Sequence, residues 1–257
     1  MNFLIILESL KFYKVRHERT VQIWFLLLYG LNMLPYILPI GDRDFSLYLS
    51  AVEDLLAGKL PAQGLNVLQL LTPGNWLLLG LSVLAGLING FFTLMYATLY
   101  VGENDDMKPR QSFTRSLAAI PRLILLALLL AVPAVLSACL AFLPLVVFVV
   151  MMYFLPLNLT INRQPLAESM HQSYLGTQRQ KIFIFVQVVL VSLLITLPQN
   201  IIEAVTPDGY LPYLFITTFF TILRAFVQGR LMGILYLFLV KKVPVVIPSK
   251  PNGQKQL

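Results

Sequence analysis

Between Arg122 and Arg163 the chain runs for forty residues, Leu123 to Asn162, without a single charged side chain. About 20 apolar residues are enough to cross a bilayer as a helix. Forty are too many for one ordinary span, so the run predicts a tight hairpin of two spans turning near Ala141 to Pro144. Similar runs lie at about Val21–Ile40, Trp76–Val101, Ile182–Pro198 and Tyr213–Val240. The expected fold is therefore an all-α polytopic membrane protein with six transmembrane helices. One membrane domain covers 1–242, with spans about 21–40, 76–101, 123–140, 144–162, 182–198 and 213–240. An outer insertion occupies 41–74 and a basic cytoplasmic tail 243–257. The runs are continuously apolar, which excludes the alternating pattern of a barrel strand. Composition agrees: 58% hydrophobic and 12% charged residues, against roughly 45–50% and 25% in soluble domains.

Charge sets the expected orientation. With both termini cytoplasmic, the inner segments hold fifteen of the nineteen Lys and Arg residues. The outer loops hold only Arg43 and Lys59 beside six acids, as the positive-inside rule requires. The net charge of +7 is thus a membrane-surface feature and points away from nucleic acid. The basic cluster follows the first apolar run, so the first twenty residues do not read as a cleaved signal. The lone Cys139 excludes an internal disulfide, and its apolar setting points to packing.

Short polar islands punctuate the spans. Pro165–Lys181 reads as an elbow helix on the membrane surface, with Leu166, Met170 and Tyr174 on one face and Gly176 ending it in a left-handed turn. The stretch 102–119 reads as a second elbow, and 1–16 as an interfacial helix of moderate amphipathicity. Within the insertion, Phe45, Leu49, Val52 and Leu56 predict a further helix. Ser112 to Leu117 and Ser169 to Tyr174 share the pattern Ser, apolar, two variable residues, Ser, apolar, and Ser9 to Lys14 matches its first half. Arg19, Arg122 and Arg179 each stand ten residues after a leading serine. Asn89-Gly90 and Gln228-Gly229 each lie eleven residues before a span-ending valine. These echoes suggest three hairpins, each entered through a cytoplasmic elbow; the alternative is that polar-to-apolar boundaries simply attract Ser and Arg.

The segments FLIILESLKFYK, KPRQSFTRSLAAIPRLILL and FLPLVVFVVMMYFLPLNLTIN followed by QPLAESMHQSYLGTQRQKIF carry a likeness. Over the larger part of its length the chain resembles the six-span membrane domain attached to bacterial glycerophosphodiester phosphodiesterases and its stand-alone relatives of unknown function. That resemblance implies the same fold and topology. It implies no catalytic residue, since the seventeen residues after Val240 leave no room for a phosphodiesterase domain. The insertion 41–74 departs from the short loop of that group.

Arg224 and Arg230 are the sharpest chemical signal, because both fall inside a span. A rise of 1.5 Å per residue puts Arg230 about 15 Å from the inner end of its span. A cation at that depth costs at least ~2.5 kcal/mol on insertion scales and must face the bundle, a wet cavity or a partner. No acid lies within any expected span, so Arg224 would reach Glu203 or Asp208, and Arg230 would use Asn89, Gln228, carbonyls, water or an external anion. One reading is a hydrophilic pocket between spans 2 and 6, in which Arg224, Arg230, Gln228 and Asn89 bind an anionic lipid or peptide group. The other is that both arginines hold the spans together. Arg19, Arg122 and Arg179 form a basic rim suited to anionic headgroups. His17 and His171 have no carboxylate pair beside them and read as surface residues, so no metal or cofactor is expected. Pro133, Pro144 and Pro156 either kink spans 3 and 4 or are merely tolerated there. No phosphate loop, Ser/His/Asp set or metal-binding His-Glu motif occurs.

The expected protein is a non-enzymatic component of a bacterial cell membrane that binds anionic lipids, a partner membrane protein or a second copy of itself, serving assembly, regulation or envelope maintenance. The alternative is a transporter or flippase for an amphipathic anionic substrate, using Arg230 and Arg224.

Overall fold

The structure is a computed structural model that describes residues 2–38, 40–58, 67–137, 142–206 and 210–243. Every regular element among them is helical: α1 (Asn2–Leu10), α2 (Glu18–Ile37), α3 (Ser46–Leu56), α4 (Pro73–Gly102), α5 (Pro109–Ser137), α6 (Leu143–Met151), α7 (Leu155–Leu157), α8 (Leu166–Thr177), α9 (Lys181–Val205) and α10 (Tyr210–Leu239). A π-helical turn, Asn158–Asn162, extends α7. Six stretches are long and apolar enough to cross a membrane: α2, α4, the first part of α5, α6 through the π turn, α9 and α10. The protein is an all-α polytopic membrane protein. Cys139, Lys59, Asp208, Ala141 and the tail beyond 243 lie outside the described residues.

Helix α10 is the central element, with 61% of its most apolar window buried against 11% in α4. Small residues let α4 approach it closely. A Cβ on Gly229 would stand 2.8 Å from the Thr93 carbonyl oxygen, and one on Gly233 would stand 2.5 Å from Tyr100 Cδ1. Lipid tails are as apolar as leucine, so such backbone proximity replaces hydrophobic burial as the force joining spans. Gly90 does not share this role, since a Cβ there would meet nothing within 4 Å. On the far side of α10, Val227, Leu231 and Leu235 pack with Ile184, Val191 and Ile195 of α9 and with Ile5 and Ile6 of α1. Leu128, Val83 and Ile182 stay exposed and form the lipid-facing surface.

Local sequence explains the helix starts. Thr72 caps α4: its hydroxyl accepts from Asn75 N at 3.1 Å, while Asn75 Oδ1 accepts from Thr72 N at 2.9 Å, and Pro73 follows at the first helical position. The predicted helix in the insertion is α3.

Several expectations need correction. The stretch 102–119 does not hold a separate elbow: α5 runs unbroken from Pro109 into the third span, through Pro121 and Pro133. The fourth span is interrupted at Met152–Phe154, ahead of Pro156. The fifth continues through Pro198 to Val205. In the α8 elbow Gly176 remains helical, and the left-handed residue is Arg179 at φ 69.

The bundle-facing side of α8 carries hydroxyls beside Leu166 and Met170, which pack on Ala119, Leu155 and Leu159. Ser169, Ser173 and Thr177 are fully buried there, whereas Tyr174 is exposed. These hydroxyls repair the broken span. Ser173 and Thr177 donate to the Met151 carbonyl at 3.1 and 3.0 Å, and Ser173 accepts from Phe154 N at 3.2 Å. Backbone groups freed by a break inside a membrane must find such partners. Ser112 and Ser9, the leading serines of the other two islands, are buried as well. Ser112 donates to the Met95 carbonyl of α4 at 2.5 Å, and Ser9 to the Ile6 carbonyl within α1 at 2.7 Å.

Candidate functional site

The two intramembrane arginines occupy different surroundings. Arg230 is 4% exposed and is enclosed by α1 and the turn after it. Its Nε donates to the Glu8 carbonyl at 2.7 Å and one terminal nitrogen to the Lys14 carbonyl at 2.7 Å. The other terminal nitrogen lies 3.7 Å from the Glu8 carboxylate. Beneath the guanidinium, the Tyr100 ring centroid is 4.8 Å away. Carbonyls, a carboxylate and an aromatic face answer a desolvated cation well. Glu8 is held in turn by Lys11. Arg230 therefore does not line a pocket with Asn89 and Gln228; it joins the last span to the N-terminal helix.

Next to this centre, Glu103 accepts from Arg16 N at 2.7 Å, and Arg16 also pairs with Asp106. Burial pushes the Glu103 carboxyl above its usual range, opposed by that hydrogen bond and by Arg230.

Arg224 is half-buried and turns toward α9, donating to Thr196 Oγ1 and Gln199 Oε1 at 3.0 Å each. Gln199 and Thr217 both donate to Glu203 at 2.9 Å, so Glu203 reaches Arg224 only through Gln199. Arg224 Nε is buried without an acceptor. Gln228 donates to Ser192 at 3.3 Å. Asn89 and Asn32 exchange amide hydrogen bonds of 2.9 Å in both directions, which pins α4 to α2.

Arg224, Gln228 and Asn89 nevertheless line one cavity of about 610 Å³ between α4, α5 and α10. Its other walls are mostly apolar, among them Leu87, Phe91, Leu123 and Ile124. The expected pocket between the second and sixth spans thus exists but is largely apolar. Leu87 and Ile124 are 64% and 52% exposed, so the cavity opens on the flank of the bundle at membrane depth. Gly86 and Gly90, one helical turn apart on α4, form part of its wall.

Of the basic rim, Arg19, Arg122 and Arg179 are all exposed, and Arg122 also donates to the Gln164 carbonyl at 2.9 Å. Among the described residues, no group of three His, Cys, Asp or Glu side chains is placed to hold a metal. Glu8, Asn32, Thr196 and Gln199 are the partners that sequence reasoning missed. Only Glu8 carried a signal, as an acid in an otherwise apolar helical stretch. No family model, curated protein or solved structure matches the chain, so geometry alone bears on what it does.

Proposed function

We propose that the protein is a non-enzymatic membrane protein that binds an amphipathic anionic lipid in the cavity between α4, α5 and α10. The observation carrying this reading is the flank opening, which sets an apolar cavity of about 610 Å³ against the acyl-chain region. That size falls within the roughly 300–1,000 Å³ of ligand pockets. Acyl chains suit its apolar walls, and Asn89, Gln228 and Arg224 offer polar contacts along one side. The charge distribution favours a bacterial plasma membrane location with both termini cytoplasmic, as does the resemblance to the six-span phosphodiesterase-associated domain. Transport of such a lipid is the second reading, favoured by the unpartnered Nε of Arg224 deep in α10.

Gly90→Leu tests the cavity. Nothing stands within 4 Å of a Cβ at this position, and Gly90 lines the cavity, so the new side chain enters space a lipid would use. It also removes a glycine that costs a helix about 1 kcal/mol. Native mass spectrometry of the gently solubilised protein should show loss of co-purified lipid, with an unchanged or raised unfolding temperature. Equal lipid retention in variant and wild type would sink the reading.

A further inference from the structure

A second cavity, of about 280 Å³, is lined by Thr114, Arg115, Ala118 and Arg122 of α5 together with Leu159 and Arg163 at the end of the fourth span. Three guanidinium side chains line it, and no carboxylate does. Spacings of one and two helical turns put Thr114, Ala118 and Arg122 on one face of α5, with Arg115 beside them. Arg122 donates to the Gln164 carbonyl at 2.9 Å, tying the chain just beyond Arg163 to α5. Arg163 adopts φ 54, ψ 29, a left-handed conformation uncommon for a residue with a Cβ. Arg115 Nε and Gln164 Oε1 are both buried without hydrogen-bond partners. Among the described residues, none of the three arginines forms an ion pair with a carboxylate.

We propose that Arg115, Arg122 and Arg163 form a binding site for a phosphate group, carried by an anionic lipid headgroup or by free phosphate. Three like charges around one cavity repel each other, and a multivalent oxyanion between them converts that repulsion into attraction. Guanidinium supplies the flat, forked donor set that phosphate accepts best. Ala118 and Leu159 provide an apolar side for whatever carries the phosphate. The site shares no residue with the α4/α5/α10 cavity, so it stands or falls independently of the lipid reading above.

The decisive variant is Arg163→Gly. It deletes a guanidinium and relieves the left-handed backbone, which glycine adopts freely; a loss of binding therefore cannot be blamed on misfolding. Arg115→Gln is its companion and Arg19→Gln, at an exposed arginine outside the cavity, is the control. Two probes are used: phosphatidic acid in otherwise zwitterionic nanodiscs, and inorganic phosphate added to the detergent-solubilised protein. Affinity should fall about tenfold in the Gly and Gln cavity variants, the loss of one charge-assisted hydrogen bond, and stay unchanged in Arg19→Gln. Arg163→Gly should unfold at or above the wild-type temperature. Binding of phosphatidic acid without competition from phosphate assigns the site to a headgroup, whereas binding of inorganic phosphate itself assigns it to the free anion. Wild type binding neither probe, cavity variants binding as wild type does, or Arg19→Gln losing as much as they do would each overturn the proposal.

Discussion

Arg230 and the group Arg115, Arg122 and Arg163 show two settings for guanidinium groups in one bundle, the first buried within the protein and the second at its surface, where Arg122 and Arg163 are exposed. At Arg230 the chain answers the charge itself, folding α1 back so that Glu8 and Lys14, 222 and 216 residues away in sequence, supply its acceptors. At the α5 site, among the described residues, the only side-chain hydrogen bond from a cavity arginine is that of Arg122 to a backbone carbonyl. A buried cation answered by protein acceptors acts as a rivet, whereas arginines gathered without carboxylates leave donors free for an external anion. Burial and partners separate the two together.

The largest effect should come from breaking the rivet. Arg230→Met leaves the Glu8 and Lys14 carbonyls without their donor and removes one of the two cations beside the Glu8 carboxylate, Lys11 remaining; unsatisfied buried acceptors cost roughly 1–3 kcal/mol each. The unfolding temperature of the detergent-solubilised variant should fall accordingly, whereas Glu8→Gln alone should cost less because it leaves the Glu8 and Lys14 carbonyls bonded to Arg230. A variant as stable as wild type would mean that α1 docks without Arg230. Gly233→Ala is the next test, at the seam that holds Tyr100 beneath the guanidinium. A methyl 2.5 Å from Tyr100 Cδ1 forces a shift costing about 1–3 kcal/mol, whereas the same change at Gly90 should cost nothing.

The smallest effect concerns pH. Burial raises the Glu103 carboxyl above its ordinary value of 4.5, so the folded protein binds more protons than the unfolded chain just above that value. This group's contribution therefore favours the fold at lower pH and declines as pH rises through its raised pKa. Glu103→Gln should flatten that slope in the unfolding midpoint measured across the mildly acidic range; an unaltered slope would show that other groups control it.

Six spans were legible because charge-free runs of that length have one stable solution in a bilayer. The site was legible only in part. Asn89, Arg224 and Gln228 do share a cavity, as their span positions implied. Glu8 escaped because it stands in a helix read as lying on the membrane surface, and nothing local announces a contact more than two hundred residues away. The bundle side of α8 escaped in part, for a different reason. Of the apolar face, Leu166 and Met170 pack on Ala119, Leu155 and Leu159 while Tyr174 stays exposed; periodicity of apolar residues does not reveal that in lipid the scarce resource is a hydrogen-bond partner, which Ser173 and Thr177 supply to the broken span. Arg115, Arg122 and Arg163 looked like ordinary topology charges because a whole hairpin separates Arg163 from the other two in sequence.

The interruption at Met152–Phe154 also bears on how the chain is made. The Met151 carbonyl takes its hydroxyl partners from Ser173 and Thr177, 22 and 26 residues further on. When the fourth span first enters the membrane, those partners have not yet emerged from the ribosome. Until α8 arrives the Met151 carbonyl and the Phe154 N–H lack these partners, so the two segments complete their hydrogen bonding together.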